Sequence, residues 1–260
     1  MSREQPKFKT PVILEVCASS VASALAAQEG GAFRVELCEN LNEGGTTPSH
    51  GQISLARQLL AIKLYVLIRP RGGDFLYSDL EFDIMVADIK YCIAAGCDGV
   101  VIGILNPDGT IDKKRCSILI NLAKQNGLGV TFHRAIDMCA DIFQGMEDII
   151  DLGCERLLTS GGKSTAIEGS RIIGELVKKA AGRISIMPGS GVNENNAADL
   201  VFYTKVSEIH SSARVHLQSK MTYKNDHILM RDSYGDEYKI GVTDAGKVQQ
   251  IIKAINFDFK

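Results

Sequence analysis

Gly153-Cys154-Glu155-Arg156-Leu157 runs from a helix-ending glycine straight into a β-rich stretch. The same step occurs at Gly31-Ala32-Phe33-Arg34-Val35 and at Gly96-Cys97-Asp98-Gly99-Val100. Short αβ connections of this kind belong to tightly wound parallel units. Outward from them, eight β-rich runs alternate with amphipathic stretches: 12–18, 33–38, 64–70, 99–104, 129–135, 156–161, 184–189 and 206–211. Between 112 and 126, Ile118, Leu119, Leu122 and Ala123 fall on one helical face, with the lysines elsewhere. Helix starts are signalled by Asp112, Asn193, Thr243 and the capping-box pair Thr165 and Glu168. Gly30, Gly96, Gly127, Gly153 and Gly182 read as left-handed caps at the far ends. Eight units in 260 residues predict an α/β fold, a (β/α)8 TIM barrel forming a single domain. An open doubly wound sheet is the rival, because alternation alone does not require closure. The expected boundaries are a polar N-terminal lead over 1–11 and the barrel over 12–260. A polar insertion at 215–241 separates strand eight from the last helix.

Composition fits an ordinary packed core, with 45% hydrophobic and 23% charged residues. A net charge of −2 gives no general attraction to nucleic acid or to an anionic membrane, so neither is expected as a partner. The first residues are polar rather than signal-like, and seven cysteines lie scattered through apolar segments. Reduced thiols in an intracellular compartment are therefore expected.

Functional side chains collect where the β-rich runs end, while the run starts read as apolar. A barrel builds its site from the loops at the carboxyl ends of its strands. Glu15 and Cys17 lie two apart on run one, and Glu36 and Cys38 two apart on run two, so each pair shares a face. Thiols on neighbouring strands suit a soft ion, and two without a third favour Cu(I) over tetrahedral zinc. Equally, free cysteine is among the most buried residue types and simply fills strand positions. Arg69 and Arg71, two apart before a flexible Gly72-Gly73 turn, could clamp an anion or could be neutralised by Glu15, Glu36 and Asp74. Arg134 and Arg214 end other strands. His133, with Asp137 nearby, offers general acid–base chemistry, for which Glu15 and Glu36 are further candidates. Ser160, Gly189 and Gly191 belong to glycine-rich turns of the kind that bind phosphate, although tight turns need glycine in any case.

Taken together, several segments resemble the copper homeostasis protein CutC family. They are Glu15-Val16-Cys17, Glu36-Leu37-Cys38, Glu43-Gly44-Gly45-Thr46-Thr47-Pro48-Ser49, Ile68-Arg69-Pro70-Arg71-Gly72-Gly73-Asp74-Phe75, Thr131-Phe132-His133-Arg134-Ala135, Leu158-Thr159-Ser160-Gly161 and His210-Ser211-Ser212-Ala213-Arg214. Ile136 stands where phenylalanine is expected, and 226–237 has no counterpart. The resemblance implies a barrel, a cytoplasmic (in animals also nuclear) location, and a homo-oligomer such as a dimer or tetramer. It also implies Cu(I) as the bound ion, with Cys17 and Cys38 at the matching ligand positions. Two functional classes follow: a Cu(I) buffer or carrier, and an enzyme acting on a small phosphorylated or carboxylated metabolite at the barrel mouth. A scaffold acting through its oligomeric interface is a third reading.

Overall fold

A computed structural model describes residues 11–225, 227–228 and 236–256. The N-terminal lead up to residue 10 and most of the 226–237 segment lie outside the described residues. Eight strands form one parallel sheet: β1 (Ile13–Ala18), β2 (Arg34–Leu37), β3 (Lys63–Leu67), β4 (Gly99–Ile102), β5 (Gly129–Phe132), β6 (Arg156–Thr159), β7 (Ser185–Pro188) and β8 (Glu208–Ser211). The ladder runs from β7 back through β1 to β8, and β7 packs against β8 to bring the ends of the sheet together. Closure into a barrel is therefore the outcome, rather than the open sheet. Seven helices follow the first seven strands: α1 (Val21–Glu29), α2 (His50–Leu59), α3 (Asp79–Ala94), α4 (Lys113–Gln125), α5 (Ile142–Asp151), α6 (Ser170–Ala180) and α7 (Ala197–Thr204). After β8 comes an antiparallel pair, β9 (Arg214–Gln218) and β10 (Lys239–Thr243), before α8 (Ala245–Ile255) closes the ring. This hairpin leans on α1, where the Thr243 amide donates to Ser23 Oγ at 3.1 Å.

Local signals mostly act where expected. Asp112 caps α4 by accepting from the Arg115 amide. Asp244 rather than Thr243 caps α8, and α7 begins four residues after Asn193, behind Asn196. Thr165 and Glu168 do form a reciprocal box, yet α6 starts only at Ser170. Gly30 is right-handed, and the left-handed residue is Gly31. Glycine at position 30 is explained by packing, since a Cβ there would lie 2.5 Å from Val248 of α8.

The strand starts are not apolar inside the barrel, contrary to the reading of the sequence. Arg34, Arg156 and Glu208 all point inward and are buried. Glu208 accepts from Arg34 at 2.5 Å and from Arg156 at 2.6 Å, and Arg34 also pairs with the fully buried Glu15. The Tyr65 ring lies between the two guanidiniums, 5.2 and 5.6 Å from its centroid. That ring occupies the space over two glycines of the neighbouring strands. A Cβ at Gly99 would come within 2.3 Å of it, and one at Gly129 within 2.1 Å. A barrel core needs bulky filling from a few strands, and here one tyrosine supplies it for three.

Candidate metal centre and the cavity above it

One level nearer the mouth, His210 stands on β8 beside β1. Its Nδ1 lies 2.8 Å from Glu15 Oε1, and its Nε2 lies 3.6 Å from Glu36 Oε2. Burial opposes a charged imidazole, but hydrogen bonding to Cys17 and Glu15 and the Glu36 charge hold it well above the ordinary histidine value. Burial likewise opposes ionised Glu15, yet Arg34 and His210 outweigh it and hold the carboxyl down to about 2. Glu36 is pushed up by burial despite the pull of His210. His210 is therefore held as an imidazolium, its Nδ1 donating to Glu15, which Arg34 in turn fixes.

A pH dependence follows with a definite sign. A histidine raised above its unfolded value of 6.5 stabilises the fold fully below that pH and progressively less as pH rises through the folded value. Glu15 acts at the other end, its contribution present above 4.5 and lost as pH falls towards 2. The stability advantage of the parent over His210→Gln should therefore shrink as pH rises above about 6.5, by up to about 1.4 kcal/mol per pH unit. Denaturant unfolding at a series of pH values measures it. A flat difference would mean that His210 is neutral in the fold.

The two strand-end thiols meet. Cys17 lies opposite Glu36 in the β1–β2 register, and Cys38 sits one residue past β2 with its amide bonded to the Ala18 carbonyl at 3.0 Å. Their sulfurs are nevertheless 3.4 Å apart and buried. The Cys38 partner and burial push the Cys17 thiol well up, so it rests protonated. Cys17 Sγ also forms a second cluster, with one Glu36 oxygen and one His210 nitrogen, all mutually within 4.8 Å. Cys17 thus belongs to two overlapping ligand sets, a dithiol pair and a Cys–Glu–His triad.

Above them lies a cavity of about 340 Å³ open to the barrel mouth. Of the sequence candidates, Cys17, Cys38, Glu36, Arg69, His133, Arg134, Gly191 and Arg214 line it, and Glu15 lies just beneath. Arg71, Asp137, Ser160 and Gly189 are not part of its lining. The 68–73 segment is not a strand, so Arg69 and Arg71 do not share a face. Arg71 turns away to Asp74 at 3.0 Å and Glu81 at 2.6 Å. Among the described residues Arg69 meets no carboxylate: its guanidinium donates to the carbonyls of Glu43, Gly45 and Gly73 at 2.6–2.7 Å and lies over Phe75.

His133 and Asp137 do not form an acid–base pair. His133 Nδ1 accepts from the Ala135 amide, and burial together with the Arg69 charge lowers its pKa to about 3. It is a neutral ring whose remaining proton sits on Nε2. Asp137 instead ties β5 to β6, accepting from Arg134, Thr159 Oγ1 and the amides of Ser160 and Gly162. Ser160, fully buried, takes part in that clamp. What the sequence reading missed is the inner charge layer of Arg34, Arg156 and Glu208. Parity could have revealed it, since 34, 36 and 38 share one strand face and 208 and 210 another.

Among the described residues no helix is long and apolar enough to cross a membrane. The model of the CutC family matches residues 12–215. A family protein CutC of Xylella fastidiosa (strain Temecula1) is 50% identical over 94% of this chain and 88% of its own. A crystal structure described as a candidate copper homeostasis protein CutC, from Streptococcus agalactiae, is 36% identical with a TM-score of 0.73. It covers 77% of this chain and 98% of that one. Phosphoribosyl anthranilate isomerase from Thermococcus kodakaraensis shares the fold alone, at 12% identity and a TM-score of 0.58 over 94% of this chain and 98% of that one. With its family model matched across the whole ring of strands, and half of its residues identical to a relative of similar length, this chain belongs to the CutC copper homeostasis family.

Proposed function

We propose that the protein binds Cu(I) as cargo between Cys17 and Cys38, and so buffers or hands on copper in the cytosol. The observation that carries this reading is the pair of sulfurs 3.4 Å apart at the floor of an open cavity. Thiolate pairs select soft ions, and Cu(I) accepts few ligands. At about 2.3 Å per metal–sulfur bond, a linear ion needs sulfurs about 4.6 Å apart, so the side chains must part by about 1 Å. His210 is a poor first ligand because both of its nitrogens carry protons, and Glu36 is a hard donor. The competing enzymatic reading loses its acid–base pair, since Asp137 faces Arg134 and His133 is a neutral donor.

Binding must displace the proton that Cys17 holds at rest. Affinity for Cu(I) should therefore rise by at least about tenfold per pH unit near neutrality. The test is titration of the reduced protein with Cu(I) against a competing chelator at pH 6, 7 and 8. One ion per chain with that slope supports the thiol site. A pH-independent affinity, or no binding, rejects it.

A further inference from the structure

We propose that the cavity above the thiols is also a phosphate site, gripped by the loops that follow β7 and β8. Ser190, Gly191, Val192, Ser212 and Arg214 line that side of it. Among the described residues, no acceptor serves the backbone N–H groups of Ser190, Gly191, Val192 or Ser212. Ser190 and Gly191 both lie in the left-handed region, with φ of 81° and 72°, which sets the turn that follows β7. For serine that conformation is costly, and it is locked from outside. Ser190 Oγ donates to the Ser164 carbonyl at 2.7 Å, and the Ser190 carbonyl accepts from the Ala166 amide at 3.0 Å.

Arg214 differs from the other arginines of the cavity. Arg69 is satisfied by three carbonyls and Arg134 by Asp137 and Ser160. Among the described residues, the exposed Arg214 guanidinium has neither a carboxylate nor a hydrogen-bond acceptor. On the opposite wall, Arg69 Nε and His133 Nε2 are buried donors without a partner among the described residues, on residues 5% and 4% exposed. The lining is thus rich in unused donors, and its one carboxylate, Glu36, lies at the floor beside the thiols.

Such a lining calls for a ligand made mostly of acceptors. A carboxylate has two oxygens, fewer than four amides and a guanidinium can serve. A phosphate monoester presents three terminal oxygens and a charge of about −1.5 to −2. Barrels frequently place phosphate at the loops after strands seven and eight. The cavity, at about 340 Å³, lies within the roughly 300–1,000 Å³ of small-molecule sites and leaves room for an organic group reaching down towards His210. This inference stands apart from copper, because it uses neither thiol.

Calorimetric titration of the copper-free, full-length protein tests it, with glycerol 3-phosphate and inorganic phosphate as probes at ionic strength matched with chloride. One site is expected. Arg214→Gln should weaken it by about tenfold or more, the loss of a charge-assisted hydrogen bond. Arg71→Gln, whose guanidinium lies off the cavity, should change it by less than about twofold. Amide shifts on titration should be largest at Ser190, Gly191, Val192 and Ser212, a readout that needs no variant. A monoester preference of about tenfold or more would identify an organic phosphate, and equal affinities free phosphate; both uphold the site. Absence of binding by either probe overturns the proposal. So does full affinity in Arg214→Gln, equal weakening by Arg71→Gln, or shifts centred elsewhere.

Discussion

Replacing Arg34 by methionine is expected to destabilise the fold by about 3–5 kcal/mol, the range for removing one partner of a buried ion pair. Arg34 is 2% exposed and is shared between Glu15 and Glu208. Methionine fills most of the volume, so the loss reads the carboxylates left behind rather than a cavity. Arg156 still serves Glu208, but Glu15 would face only His210, at 0% exposure. At roughly 2–4 °C per kcal/mol for a chain of this size, thermal unfolding should move down by about 10 °C. Combining Arg34→Met with Glu15→Gln should recover part of the loss, because it removes the orphaned charge, and a double-mutant cycle isolates that coupling. A loss below about 1 kcal/mol would mean that the layer is solvated or already neutral. The same substitution should disturb the site above, since Glu15 orients His210, which stands beside Cys17 and Glu36.

That inner layer is also where the sequence was least legible. The barrel itself could be read because its signal is local and repeated: a glycine, a short turn, then an apolar run, as at Gly153 to Leu157. The side of the barrel that carries the site was legible for a similar reason, as Cys17, Cys38, Arg69, His133 and His210 all fall where β-rich runs end. Arg34 and Glu208 stand at strand starts, where a charge ordinarily faces solvent, and only their match across the barrel makes them core residues. No local pattern announces that Gly99 and Gly129 are glycines because Tyr65 reaches over both. Partner choice in the loops was equally hidden. Arg71 and Asp137 look like site residues by position, yet Glu81 of α3 and the amides after β6 claim them. Parity predicts faces only while the chain remains a strand, and the chain leaves strand geometry after Leu67 and Phe132.

Cys38→Ser should lower Cu(I) affinity by more than about a hundredfold, beyond the roughly 10–100-fold that loss of a supporting partner costs. The prediction discriminates because Cys17 belongs to both possible ligand sets and Cys38 to only one. If the ion sits between the thiols, Cys17→Ser and Cys38→Ser are each disabling, and the double variant is little worse than either, since one remaining thiol is a weak site. His210→Gln then has a smaller effect, because it removes a neighbouring imidazolium rather than a ligand, and loss of that positive charge favours an incoming cation. If instead the ion takes the Cys17, Glu36 and His210 atoms that lie within 4.8 Å of one another, the order reverses. Cys38→Ser would be tolerated, His210→Gln would be disabling, and a borderline ion such as Zn(II) would compete well, as nitrogen and oxygen donors suit it. Chelator competition with Cu(I) and Zn(II) on the three single variants separates these outcomes. The dithiol assignment requires that Cys38 outrank His210 for Cu(I) and that Zn(II) fail to displace it. Unchanged Cu(I) affinity in the double serine variant would remove both sets at once, because Cys17 is common to them.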